Sequence, residues 1–370
     1  MFKKDTIHAL SSVIAGLALG LAGLTSQAGT IADGDADTGA NAARATYGVD
    51  GSGLKIGIIS DSFNVSGNGG AVPTVNVLQE GFALGNPWGQ PIGTEQGRAM
   101  AEVISHIAPG PSLRFHAASN SPDPNDFTVG PSGALPASSD VGDIYQPKPS
   151  SLVTAIEALV AAGADIIVND SGYFNEPWFQ NGEVASAVTA AYNGTLPGSG
   201  GKRIPVITSA GHFGTQSWEG QLINSNYNAG FPVGSRSGTY NQFDTPLTID
   251  NLQLSVTLEP GESVAAAMQG SEPFPSGGGQ TAYDLDLFLT TGASPFGTTL
   301  ASSERIQINP GGGSDDWDND GEPDFNPWEL LSFTNETASS INARLMVKIA
   351  VDGNAVTDPT IKIIVAGDDV

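Results

Sequence analysis

Residues 54–64 constrain the fold of this chain more than any other stretch, because they combine the pattern of a buried strand with a carboxylate at its end. Isoleucines at 56, 58 and 59 form a short apolar run between glycine-rich turns, which is typical of a strand inside a parallel sheet. Sheets of this kind bind ligands outside the carboxyl ends of their strands. The pattern therefore predicts Asp61 at a ligand-binding edge, although an aspartate there can also simply cap the next element.

Strand-like and helix-like patterns alternate from this segment to about residue 220. Apolar runs predict further strands at 112–116, 165–169 and 204–208, and helical spacing predicts helices that begin at Thr94, near residue 152 and at residue 183. Alternation of this type requires parallel pairing with right-handed crossovers. The sequence therefore predicts a doubly wound parallel sheet of the α/β class.

The pattern changes from about residue 244 to short runs in which apolar and polar residues alternate. These runs lie at 254–258, 283–289, 344–351 and 360–365 and are separated by clusters of turn residues. Short strands at this spacing are typical of an antiparallel β-sandwich. We therefore predict a signal peptide at 1–28, an α/β domain at 29–243 and a β-sandwich domain at 244–370.

The first 28 residues have the three-part layout of a secretory signal. Lys3 and Lys4 precede an apolar run at 9–24, and Ser26-Gln27-Ala28 supplies small residues for cleavage. A membrane anchor is the alternative, but the run is short and rich in alanine and glycine. The layout predicts a secreted or periplasmic protein with no membrane anchor after the signal is removed.

Charge and composition exclude several kinds of partner. The formal net charge is −25, and removing residues 1–28 takes away two lysines and one aspartate and leaves −26. Nucleic acids and anionic membranes repel such a chain. The sequence has no cysteine, so disulfides and thiolate chemistry are excluded. An exported protein without disulfides needs close packing, metal ions or both, and its surplus of carboxylates suits calcium.

One acidic stretch has the spacing of a calcium-binding loop. Its carboxylates stand at alternate positions before Gly321, where such loops turn sharply. The predicted ligands are Asp316, Asp318, Asp320 and Asp324. Pro327 occupies the position at which these loops usually carry a glutamate, so a solvated acidic turn remains the alternative to a calcium site.

Four segments together resemble the subtilisin/sedolisin superfamily of serine peptidases, over about residues 47–220. They are residues 55–61, 96–110, 166–172 and 208–212. The first is similar to the strand that ends in the triad aspartate, and the second to the helix that begins at the catalytic histidine. The third resembles the strand that lines the substrate cleft, and the fourth the turn that presents the oxyanion asparagine. Residues 283–289 are also similar to small β-sandwich domains of secreted bacterial peptidases.

The resemblance implies a role for individual residues. Asp61 takes the place of the triad aspartate, and Asp170, Ser171 and Gly172 take places along the substrate cleft. Gln96 stands at the histidine position and cannot accept a proton, whereas its neighbour Glu95 can, and sedolisins use a glutamate there. His212 stands at the oxyanion position.

Two of these assignments have structural alternatives. Glu95 near a helix N-terminus can interact with the helix dipole and with Arg98 instead of acting as a base. Asp170 at the end of a strand can serve only to bond backbone amides.

The Gly-Thr-Ser-x-Ala motif that carries the nucleophile in this family does not occur in the 370 residues. Removing the nucleophile from a serine peptidase removes nearly all of its rate. We therefore predict a secreted endopeptidase homologue that is inactive as written and whose ligand is a polypeptide. Two explanations remain open from the sequence: a partial record of an active endopeptidase, or a pseudo-peptidase that binds peptides or extracellular polymers.

Overall fold

A computed structural model describes residues 31–64, 74–81, 95–118, 127–128, 146–147, 149–172, 174, 176–210, 216–223, 239–243, 253–272, 283–291, 298–304, 327–351 and 358–367. The helices are α1 (Ile31–Asp37), α2 (Ala40–Tyr47), α3 (Gln96–Ile107), α4 (Pro149–Ala161) and α5 (Glu183–Asn193). The strands of the first half are β1 (Lys55–Ser60), β2 (Val75–Gln79), β3 (Ser112–Ala117), β4 (Phe127–Thr128), β5 (Gln146–Pro147), β6 (Ile166–Asn169) and β7 (Val206–Thr208). Those of the second half are β8 (Ser217–Gln221), β9 (Thr239–Tyr240), β10 (Leu254–Leu258), β11 (Ser263–Gly270), β12 (Asp284–Thr291), β13 (Thr299–Ser303), β14 (Trp328–Thr334), β15 (Ile341–Val351) and β16 (Thr360–Gly367).

The first half contains a parallel sheet with strand order β2-β3-β1-β6-β7. Strand β1 lies in the middle and pairs with β3 on one side and β6 on the other, so that its carboxyl end has a neighbour on each side. The chain first adds β2 and β3 on one side of β1 and then β6 and β7 on the other side. Strand β1 is therefore the point at which the winding direction of the sheet changes. This sheet confirms the predicted α/β class.

Helices cover both faces of this sheet. Ile58 and Phe115 pack with Ala101 of α3 in one hydrophobic cluster, whereas Ile59 packs with Leu159 of α4 in another. Successive residues of a strand point to opposite faces, so the apolar pair Ile58 and Ile59 joins the two layers. A continuous apolar run in β1 is therefore the consequence of burial on both sides.

The second half is a sandwich of two antiparallel sheets. Strands β10, β15, β12 and β13 form one sheet in that order, with β9 paired to β15, and β14, β11, β16 and β8 form the other. Alternate leucines of β12, Leu285, Leu287 and Leu289, pack against Val264 of β11 and Ile363 of β16 in the shared core. The predicted β-sandwich is confirmed, and its alternating pattern results from one face of each strand entering this core.

Two short strands lie before residue 244, yet they belong to the sandwich. Strand β8 hydrogen-bonds to β16, the last strand, and β9 pairs with residues 348–349 of β15. Their pairing is long-range in sequence and leaves no local signal, so the change in periodicity places the boundary at 243/244 instead.

Strand β2 lies in a stretch that the sequence predicted as loop. Its middle residues, 76–78, are exposed, because it is at the edge of the sheet and has no apolar alternation. None of the helices in the described part of the chain has the length and apolar character needed to cross a membrane. Residues 1–30, including the predicted signal peptide, lie outside the described residues.

Candidate functional site

Asp61 lies immediately after β1 at the carboxyl edge of the parallel sheet, and its side chain is exposed. The hydroxyl of the buried Ser62 donates to Asp61 Oδ2 at 3.0 Å. The same hydroxyl accepts the backbone N–H of Glu95 at 2.9 Å. One buried serine therefore joins the end of the central strand to the residue that precedes α3, although the two are separated by more than thirty positions in the chain.

Glu95 is held in an unusual backbone conformation at the start of α3. Its φ angle is 56°, in the left-handed region. Among the described residues, Glu95 is the one non-glycine residue whose φ angle is positive. Such a conformation costs about 1–3 kcal/mol and persists only where surrounding contacts impose it. These contacts include the bond from Glu95 N–H to Ser62 and an ion pair between its carboxylate and Arg98. The sequence predicted either this ion pair with Arg98 or a role as a general base for Glu95, and the structure contains the ion pair.

Glycine at position 97 lets α3 approach the end of β1. The Gly97 N–H donates to Ser62 O at 3.1 Å. A Cβ atom at Gly97 would lie 2.3 Å from Cε2 of the buried Phe115 and 2.8 Å from Ser62 O. Because Ser62 O belongs to the backbone and Phe115 is fully buried, a side chain at position 97 would push the helix away from the strand.

Glu80, which follows β2, holds the turn that begins at Asp61. Its carboxylate accepts N–H groups from Phe63 at 2.7 Å, Asn64 at 3.0 Å and Gly81 at 2.8 Å. Each such bond to a charged acceptor is stronger than a neutral one. The sequence did not predict a role for Glu80, because Glu80 lies in a stretch without strand periodicity. Its partner Phe63 is 17 residues earlier in the chain, in a turn that has no recognisable motif.

Asp170 lies beside Asp61 at the end of the neighbouring strand β6. The hydroxyl of Ser60, which is almost fully buried, donates to Asp170 Oδ2 at 3.1 Å and lies 3.4 Å from Asp61 Oδ1. Burial raises the pKa of Asp170 to about 6. The hydrogen bond from Ser60 opposes that shift, and the negative charge of Asp61 adds to it.

The chain leaves β6 through a turn held by Asn169. Its side-chain amide accepts the N–H of Ser171 at 3.1 Å and donates to Ser171 O at 2.9 Å and to Thr208 at 3.3 Å. Gly172 follows in an exposed position, and a Cβ atom there would meet nothing within 4 Å. The backbone at Gly172 thus borders open space at the same edge as Asp61 and Asp170.

The structure brings five of the predicted site residues to this edge: Asp61, Glu95, Asp170, Ser171 and Gly172. His212 lies outside the described residues, as do the predicted calcium ligands Asp316, Asp318, Asp320 and Asp324. Within the described ranges, no group of three or more carboxylate or imidazole side chains is arranged to hold a metal ion.

Three residues that build the edge were not predicted: Ser60, Ser62 and Glu80. The two serines flank Asp61 in the sequence, and a Ser-Asp-Ser triplet at a strand end is the signal that could have identified them. Serine hydroxyls there can bond to carboxylates on neighbouring elements as well as on their own.

The sequence matches no model of a known protein family and no curated protein. Among solved structures, the protein is similar to the Clostridium perfringens CspB protease, with a TM-score of 0.37 and 9% sequence identity. The similarity covers 88% of this chain and 64% of that protease, so the chain spans less than two thirds of its length. A likeness at this level does not decide family or function.

Proposed function

We propose that this chain is a subtilase-like protein that holds an extended polypeptide at the carboxyl edge of its parallel sheet. We further propose that residues 1–370 do not hydrolyse the peptide bond by themselves. The observation that carries the proposal is the Ser62 hydroxyl, which bonds both to Asp61 and to the backbone of Glu95. In the subtilase resemblance these are the positions of the triad aspartate and of the start of the catalytic helix, and both belong to one active site.

Binding of an extended chain is supported by the backbone that leaves β6. Its turn is fixed by Asn169, and the exposed Gly172 has open space beside it. An extended peptide can add to exposed backbone by main-chain hydrogen bonds, with side-chain pockets supplying selectivity. The carboxyl edge is also where parallel sheets of this kind bind their ligands.

The lack of hydrolysis is supported by the chemistry at the base position. Gln96 cannot accept a proton as a general base, and the carboxylate of Glu95 is ion-paired with Arg98. No Gly-Thr-Ser-x-Ala motif supplies a nucleophile in the sequence. A nucleophile and a base within hydrogen-bond reach are both needed for serine peptidase chemistry.

Export to an extracytoplasmic compartment is part of the proposal. It is supported by the arrangement of Lys3, Lys4, the apolar run at 9–24 and Ala28. Expression of the full chain in a secreting bacterial host followed by N-terminal sequencing should give a mature protein that begins at Gly29. Retention of Met1 in the exported protein would contradict this part.

The binding function can be tested by fluorescence anisotropy with fluorescein-labelled casein. The protein should bind the labelled casein without cutting it into fragments. A fluorophosphonate probe should label no serine. Filling the open space with Gly172→Trp should weaken binding at least about tenfold, which corresponds to 1.4 kcal/mol. Tyr192→Ala is the matched control, because Tyr192 is exposed near the end of α5, at the opposite edge of the sheet. Labelling of a serine would establish an enzyme instead, and unchanged binding in Gly172→Trp would place the ligand elsewhere.

A further inference from the structure

Gln269 makes an unusual set of contacts for a residue in the middle of a sheet. It belongs to β11 of the sandwich and is fully buried. Its side-chain Nε2 donates to Phe174 O at 2.5 Å and to Glu176 O at 2.8 Å, and its Oε1 accepts the N–H of Trp178 at 2.9 Å. Both donors and the acceptor of one amide are thus used on the backbone of a single segment of the α/β domain.

We call Phe174, Glu176 and Trp178 the docking segment. The rings of Phe174 and Trp178 meet edge to face at 6.4 Å and pack against the sandwich. The sandwich residues they contact are Ala267, Trp328, Leu330 and Ile364. Neighbouring positions in these strands, Leu331 and Ile363, enter the sandwich core instead, so the docking segment covers the outer face of the same sheet.

The docking segment contributes to the burial of β11, whose eight residues are all buried. A strand at the surface of a sandwich normally alternates between buried and exposed residues. On the outer face of β11, Ala267 and Gln269 owe their burial in part to the docking segment.

The docking segment is also tied to α5. Glu176 Oε1 accepts the N–H groups of Val184 at 3.1 Å and Ala185 at 3.3 Å in the first turn of that helix. A Cβ atom on Gly182 would lie 2.3 Å from Glu176 Oε1, so a side chain there would displace this carboxylate. On its other side the segment begins two residues after Gly172, at the carboxyl edge of the parallel sheet.

We propose that Gln269 is a positioning residue for that edge. By fixing the docking segment, it fixes the chain at residues 170–172 on one side and the start of α5 on the other. The sandwich is then a structural part of the candidate site and not a tethered accessory domain. The proposal concerns the coupling between the two domains, and it holds whether or not a polypeptide binds.

Amide hydrogen exchange of the full-length protein, followed by mass spectrometry, tests this coupling. Gln269→Leu removes all three hydrogen bonds while keeping a side chain of similar size. We expect exchange in peptides covering 176–186 and 166–172 to become at least about tenfold faster, because their local opening no longer breaks those bonds. Peptides from β12 and β15 should keep their protection, which shows that the sandwich remains folded.

Ser263→Ala is the matched control. Ser263 lies on the same strand, and its hydroxyl bonds to Thr334 at 2.8 Å, away from the docking segment. It should leave exchange at 166–186 unchanged. If amide exchange at 166–186 became equally fast in Gln269→Leu and Ser263→Ala, the cause would be general destabilisation of the sandwich. That result would overturn the proposal.

Two further outcomes also count against it. If Gln269→Leu is folded and 176–186 stays protected, the docking segment does not depend on Gln269. If 176–186 accelerates but 166–172 does not, the segment docks without positioning the edge. Should Gln269→Leu fail to fold, Gln269→Asn, whose shorter amide cannot reach all three partners, is measured instead and must show the same regional pattern.

Discussion

Replacing Asp170 by asparagine should stabilise the protein at neutral pH and leave it unchanged in acid. Asparagine has nearly the same shape and can still accept the hydrogen bond that Ser60 donates at 3.1 Å. Asparagine cannot ionise, however, whereas the surroundings of Asp170 disfavour the ionised carboxylate. Burial, with the charge of Asp61 as a smaller contribution, raises the pKa of Asp170 from 3.8 to about 6.

The sign of the effect follows from this direction. A carboxyl group whose pKa is higher in the folded than in the unfolded protein stabilises folding when protonated, and that contribution is lost as the pH rises. The loss begins near pH 3.8 and is complete above about pH 6. A difference of about two pKa units corresponds to about 3 kcal/mol in the free energy of unfolding. This is an upper estimate, because part of the side chain still reaches water.

Urea unfolding of wild type and Asp170→Asn at about pH 3.5, 5 and 7 measures the difference directly. The two proteins should have equal stability at the lowest pH, and the variant should gain up to about 3 kcal/mol by the highest. Asp61→Asn is the control: it removes only the repulsive charge, so it should reduce the pH dependence of Asp170 without abolishing it. A constant difference across the range, or a variant less stable at neutral pH, would refute the reasoning.

Three other outcomes are expected. Gly97→Ala should destabilise by about 1–3 kcal/mol in thermal melts despite the better helix propensity of alanine, whereas Gly172→Ala, with open space around it, should change stability by less than about 0.5 kcal/mol. Glu80→Ala removes the acceptor for three backbone amides, so it should cost about 1–3 kcal/mol and speed amide exchange at residues 63–64. Calcium at a hundred times its dissociation constant should add about 2.7 kcal/mol through the predicted acidic loop, and the gain should vanish in Asp316→Ala/Asp320→Ala; identical melts with EDTA and with calcium would contradict the site.

The elements that the sequence predicted well are those whose pattern is produced by burial alone. Strand β1 is apolar because both of its faces are covered, and the leucines of β12 alternate because only one face enters the sandwich core. Strand β2 has no such pattern, since it is an exposed edge. The position of Asp61 followed from the end of a predicted strand, but Glu80 and Gln269 act through backbone groups of distant segments, and no local pattern encodes such contacts.

Asp61 lies between two serines that link the central strand to its neighbours. The two serines that flank it have different partners: Ser60 donates to Asp170, which follows β6, and Ser62 accepts the backbone N–H of Glu95 before α3. Asp61 Oδ2 accepts from Ser62, and Asp61 Oδ1 lies 3.4 Å from Ser60. A change in charge at Asp61 is therefore felt on both sides of the central strand. Because Gln269 fixes the chain a few residues beyond Asp170, a ligand that contacts Asp61 would also be linked, through Ser60 and β6, to the segment that docks on the sandwich.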